Sequence, residues 1–349
     1  MKPTNKKHNI PLSVGYSITD ENQPLFCETV ERFKDNIGEV YFAFTGIPSG
    51  RSALGGDLSF FDTTEQLIFE LDKISKMGIK LNLLFNAACL GDEALSKAHE
   101  KQVISVLQFL GDRVKLPDTV TTMSPVTAQI VHKFDSKIDV RASVNMKIST
   151  VKGIEYVEHL FDSFCIFRDI NRNLEELKEV SDYLRKNSKG ISILANSGCL
   201  RGCSMQSFHD NVVAHEEGIL KQNNLSYASA SGCHEFFSNK ENHFKLLQNT
   251  WIRPEDLHNY EGFVDMVKLA TRAHDRPEAV IGAYARGSYH SNLVDLFEPS
   301  HTQLLNPTVV ANDLFPDDFF VKTAKCNKKC NTCNYCKNVW DKVAVKIEE

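Results

Sequence analysis

Eight short apolar runs recur along the 349-residue chain, separated by helix-patterned or loop segments, and this alternation constrains the fold more than any other feature. The runs are LSVGYSI (12–18), VYFAF (40–44), IKLNLLFN (79–86), VTTM (120–123), IDVRASVN (138–145), SFCIFRD (163–169), GISILAN (190–196) and VDMVKLA (264–270). Most are apolar without strict alternation, the pattern of parallel strands covered on both faces. Between them lie amphipathic helices such as 63–78, with Leu67, Leu71 and Ile74 on one face and Gly78 as the stop, and 173–187, with Leu174, Leu177 and Leu184. Parallel strands joined by helices cross over right-handedly, and eight such units suit a closed ring. The sequence therefore predicts an α/β fold, a TIM-like (β/α)8 barrel over residues 1–315, followed by a cysteine-rich tail over 316–349. An open doubly wound sheet is the alternative. No glycine-rich dinucleotide or phosphate-loop spacing follows an early strand, and TGIPSGRSALGG (45–56) reads as a loop over the barrel mouth.

Active sites of such barrels lie at the carboxyl ends of the strands. There the sequence places Asn86 and Cys89, Asn145, Arg168 and Asp169, Asn196 with Cys199 and Cys203, and finally Lys268, Arg272 and His274. The expectation is that these polar groups and thiols converge on one rim, with His209 and Asp210 beside them. Arg168, Asp169, His209, Lys268, Arg272 and His274 are the candidate catalytic residues. Lys and Arg number 40 against 45 Asp and Glu, a net charge of -5 with no basic stripe, so there is no strong nucleic-acid patch. No stretch approaches the about 20 apolar residues of a membrane span, and MKPTNKKHNIPL lacks the apolar core of a signal peptide, so a cytoplasmic protein is expected.

Cytoplasmic thiols stay reduced, which turns the ten cysteines towards metal binding. Cys27 and Cys165 sit in apolar context and read as small packed hydrophobes. Cys89, Cys199, Cys203 and Cys233 sit among Gly, Asn and Ser. Cys326, Cys330, Cys333 and Cys336 fall within 11 residues, CNKKCNTCNYC, compact enough for one metal, with Lys328 and Lys329 to offset thiolate charge. Spacing leaves open whether that centre is a second cluster or zinc. His209 and His215 are six apart, so the HExxH pair of zinc peptidases is missing, and there is no GxSxG elbow.

The succession VRASVNMKISTVKGIEYVEHLFDSFCIFRDINRNLEELKEV, then ISILANSGCLRGCS, then WIRPEDLHNYEGFVDMVKLATRAHDRPEAVIGAY, over roughly residues 138–290, resembles the collagenase-like peptidase family U32. Arg272 and Tyr284 match a late Arg-containing motif followed by a Tyr-bearing helix. Despite the peptidase label, this resemblance implies oxygen-independent hydroxylases that hold a [4Fe-4S] cluster on four cysteines and act on RNA bases or quinone precursors. An electron donor protein and a small or RNA-borne substrate are the implied partners. The cysteine spacing departs from the family, with three residues between Cys199 and Cys203 where relatives have six, so ligands cannot be copied across. Four thiolates are usual for such clusters, and Cys89 is the expected fourth beside Cys199, Cys203 and Cys233. A zinc site of the same thiolates, a peptidase, and a non-catalytic binding or assembly protein are the competing readings.

Overall fold

The structure is a computed structural model that describes residues 8–19, 24–47, 49, 60–220, 222, 224 and 232–347. Eight parallel strands close a barrel: β1 (Leu12–Gly15), β2 (Ile37–Ala43), β3 (Lys80–Phe85), β4 (Thr119–Thr122), β5 (Asp139–Ala142), β6 (Ser163–Ile166), β7 (Gly190–Leu194) and β8 (Met266–Leu269). Each pairs with the next, and β8 returns to β1 with Val14 opposite Leu269. All eight expected runs are strands. Strands β1, β4 and β6 are buried at every position, and β2, β3 and β7 at all but one, which is why they read as apolar without a clean period of two. In β3 only Lys80, the first residue, is exposed. The helix expected at 63–78 spans Phe60–Lys76 and stops at Gly78, whose φ of +82° suits a residue without Cβ. That expected at 173–187 spans Leu174–Lys186 and is capped by Asn173, which accepts the Glu176 N–H.

The barrel interior is not apolar throughout. Glu39 on β2 is fully buried, and its Oε1 accepts from Ser13 on β1 (2.6 Å), Asn82 on β3 (2.9 Å) and Arg141 Nη1 on β5 (2.8 Å). Since β2 and β5 are not neighbours, the Glu39–Arg141 pair crosses the interior. Thr121 on β4 extends the network to Asn82, and Arg141 Nε donates to Ser163 on β6. This polar layer explains why β2 begins at Ile37, three residues before the apolar run at 40: a carboxylate interrupts the sequence pattern although it points to a partner inside.

Beyond residue 315 the chain packs on the barrel. Phe319, on the helix Phe319–Ala324, is buried against Trp251 at 5.9 Å between ring centroids, and Trp251 stacks on Phe297 at 5.1 Å. Val339 and Val343, on the helix Tyr335–Val343, join the same core. The strand β10 (Ala344–Lys346) then pairs antiparallel with β9 (Thr308–Val310), so the tail is tied to the barrel at both ends. No helix among the described residues is long and apolar enough to cross a membrane.

Candidate active site at the barrel mouth

At the carboxyl ends of the strands lies a cavity of about 170 Å³. Asn86, Asn145, Arg168, Cys199, Cys203, Cys233, His209, Asp210, Lys268 and Arg272 line it. Residues far apart in the chain therefore converge where the strand ends predicted. Tyr41, Ser49, Gln206 and Glu298 line it as well, and the sequence did not single them out. Tyr41 had one signal, a polar-tipped aromatic inside a strand. Glu298 follows β8 by almost thirty residues and had none. Ser49, which accepts from Arg272 Nη1 at 3.1 Å, is the part of the expected mouth loop that lies here; residues 51–56 of that loop are outside the described residues.

The segment carrying Cys199 and Cys203 is fixed by two glycines and one carboxylate. Gly198 is held on both sides: its N–H donates to Glu298 O at 3.0 Å, and its carbonyl accepts from Asn249 Nδ2 at 3.2 Å and faces His301 Nε2 at 3.0 Å. A Cβ at Gly198 would stand 2.1 Å from the Pro299 carbonyl oxygen, which is backbone and cannot step aside. Gly202 turns the loop at φ +64° and donates its N–H to Asp169 Oδ2 at 2.9 Å. Just before the loop, the buried Asn196 amide bridges Ala270 N–H, Ala270 C=O and Leu296 C=O. Gly198→Ala is expected to cost about 1–3 kcal/mol through overpacking. Urea unfolding checks this, and an unchanged midpoint would show that the Glu298–Pro299 segment yields.

Three cationic residues, Arg168, Lys268 and Arg272, line the cavity together with Asp210 and Glu298. Arg168 is 4% exposed, and its Nε is buried without a hydrogen-bond partner among the described residues. The same is true of Asn86 Oδ1. Burial holds the Lys268 ammonium below its ordinary pKa, although Cys165 and Glu39 favour its charge, and Nζ sits 4.1 Å from the Tyr41 ring centroid. The carboxylates Glu255 and Asp256 have partners other than Arg272. Asp256 makes a two-bond pair with Arg253, and Glu255 accepts from Tyr289 N–H and Asn312.

The thiols divide. Burial, then the neighbouring Cys199 and Cys203, raise the Cys233 pKa, so these three sulfurs feel one another. Cys233 lies on the helix Gly232–Ser238, docked on the cysteine loop so closely that a Cβ at Gly232 would meet Met205 Sδ at 2.2 Å. Cys89 is not among the residues lining the cavity; its Sγ accepts the Gly91 N–H at 3.4 Å. It lies in the segment between the end of β3 and the turn Gly91–Leu95. Among the described residues no three His, Cys, Asp or Glu side chains stand close enough to hold a metal ion as they are placed.

Two candidate catalytic residues also change role. His274 is outside the cavity, with Nε2 against Asp295 O at 3.0 Å and Nδ1 accepting the Arg276 N–H; burial lowers its pKa. Asp169 does not reach the cavity either and positions the cysteine loop through Gly202. His209 does line the cavity, from the middle of the helix Gln206–Ala214 rather than from a cap.

No protein-family model matches the chain. An uncharacterized protease of Methanocaldococcus jannaschii is 24% identical over 334 residues, covering 91% of this chain and 92% of that protein. Among solved structures, the U32 peptidase Mk0906 superimposes with a TM-score of 0.51 over 76% of this chain and 95% of its own, at 16% identity. The chain is thus similar along most of its length to an archaeal protein named as a protease, and it shares the fold of a U32 peptidase. The likeness to Mk0906 concerns the fold, and the near end-to-end alignment with the archaeal protein spans the U32-like segments, the mouth and most of the chain around them.

Proposed function

We propose that the barrel mouth is the active site of an iron-sulfur enzyme, an oxygen-independent hydroxylase or a related redox modifier of a small or RNA-borne substrate. Cys199, Cys203 and Cys233 would hold the cluster, and Arg168, Lys268 and Arg272 the anionic part of the substrate. The observation that carries this reading is the presence of three thiols and three cations on one cavity. The donor set fits: thiolates are the usual ligands of iron-sulfur clusters, and three leave the fourth position to another group. Cys233 rides on the helix Gly232–Ser238, separate from the loop that carries Cys199 and Cys203. Arg168 Nε and Asn86 Oδ1, buried without partners among the described residues, are the kind of donor and acceptor that a bound ligand satisfies.

When bound, the cluster supplies electron transfer, and an electron donor protein is the partner this reading implies. The chain's own residues do the rest. Arg168 and Arg272 can take carboxylate or phosphate oxygens through paired N–H bonds, and Lys268 adds a point charge. His209 can accept or return a proton at the cavity wall.

Peptide hydrolysis, which the relatives' names suggest for those proteins, is the second reading. It is favoured by one observation, that Cys203 and His209 line the same cavity, as a thiol nucleophile and its base would. Reconstitution with iron and sulfide under anaerobic conditions separates the two. The variant Cys199→Ser/Cys203→Ser is expected to bind about four fewer irons per chain than the parent. Equal iron in both, or peptide hydrolysis by iron-free protein that Cys203→Ser abolishes, would overturn the hydroxylase reading.

A further inference from the structure

The four tail thiols lie near three cations, the buried Arg172 and the half-buried Arg201 and Lys328. Cys336 is within electrostatic reach of Cys326, Cys330 and Cys333, although as placed no three of them stand close enough to hold a metal ion. Arg172, 6% exposed, lies over the Trp251 ring at 4.2 Å and donates Nε to Trp251 O and Nη1 to Leu247 O. Its Nη2 is buried with no partner among the described residues, and so is Arg201 Nε. Lys328 places its Nζ on the carbonyls of Arg172 (2.9 Å) and Thr323 (2.8 Å). Buried cations are ordinarily paired, because removing a charge from water is costly.

Three of these sulfurs have hydrogen-bond donors directed at them. Lys328, in the left-handed region at φ +60°, directs its N–H to Cys326 Sγ at 3.3 Å. Tyr335 N–H points to Cys333 Sγ at 3.5 Å, and Arg201 Nη2 to Cys330 Sγ at 3.7 Å. Cys336 shares the Leu247 carbonyl with Arg172, at 3.9 Å from its own sulfur. Three sulfurs thus accept hydrogen bonds, and the fourth sits beside the guanidinium.

We propose that Cys326, Cys330, Cys333 and Cys336 hold a second metal centre, an iron-sulfur cluster, seated on the barrel by Arg172, Arg201 and Lys328. Four thiolates bring more negative charge than a metal core cancels, and the three cations supply the remainder. All four ligands fall within 11 residues, a run compact enough for a single metal centre. Arg201 lies between Cys199 and Cys203, so the tail centre touches the mouth through one loop, yet the proposal does not rest on the mouth holding iron.

The test uses the full chain with Cys199, Cys203 and Cys233 all replaced by Ser, which removes any mouth centre. After anaerobic reconstitution this variant is expected to bind about four irons per chain, and adding Cys326→Ser/Cys330→Ser to abolish that iron. A folded variant that takes up no iron, or that carries one zinc per chain in its place, would overturn the proposal. Alkylation of the unmutated protein covers the case in which the multiple variant does not fold. The four tail thiols are expected to resist iodoacetamide until a chelator is added, and immediate modification of all four in the iron-loaded protein counts against the centre.

Discussion

Arg141→Met is expected to destabilise the protein by about 3–5 kcal/mol at neutral pH, because it strands the Glu39 carboxylate inside the barrel. Burial alone would raise the Glu39 pKa, but Arg141, with hydrogen bonds from Ser13 and Asn82, outweighs it and holds the carboxyl below its ordinary value. A carboxyl whose folded pKa is depressed adds stability above its unfolded pKa and loses it as pH falls through the folded one. Without Arg141 the sign reverses, since burial then dominates and the protonated acid is preferred. The deficit of the variant is therefore largest at neutral pH and shrinks on acidification. Glu39→Gln/Arg141→Met should recover much of the loss, as replacing both partners of a buried pair usually does. Urea unfolding of the three proteins at pH 7 and pH 5 measures this. A deficit that grows on acidification would mean that Glu39 is not the group left exposed to burial.

Phe319→Ala is expected to cost about 3–5 kcal/mol in the unfolding of the whole chain, the usual penalty for emptying a buried aromatic site. Phe319 is 1% exposed and touches Trp251, Phe315 and Tyr335, so its loss opens a cavity where the tail meets the barrel. One cooperative transition at a lower denaturant concentration is the expected trace. An unchanged main transition would mean that the barrel is indifferent to the chain beyond residue 315, and that the tail contributes only its cysteines.

The barrel was legible in the sequence because strand and helix formation depend on residues close in the chain. An apolar run bounded by turn residues announces a buried strand wherever it lies, and eight in alternation leave few topologies. The wall of the mouth was legible for the same reason: the end of each strand marks where its next polar residue must stand, and Arg168, Cys199, Cys203, Lys268 and Arg272 are there. Tertiary structure decided which neighbours those residues meet. Glu39 finds Arg141 at a separation of 102 residues, and Gly198 finds His301 at 103. A charged residue within a strand reads as an interruption until the barrel closes and supplies its partner. Asp169 and His274 have side chains suited to catalysis, but backbone hydrogen bonds with Gly202, Asp295 and Arg276 engage them. Cys89 lay in the right region of the sequence, yet it is not among the residues that line the cavity. The cations beside the tail cysteines were invisible, because Arg172 is an ordinary residue until folding buries it, and Arg201 until folding brings its guanidinium to Cys330.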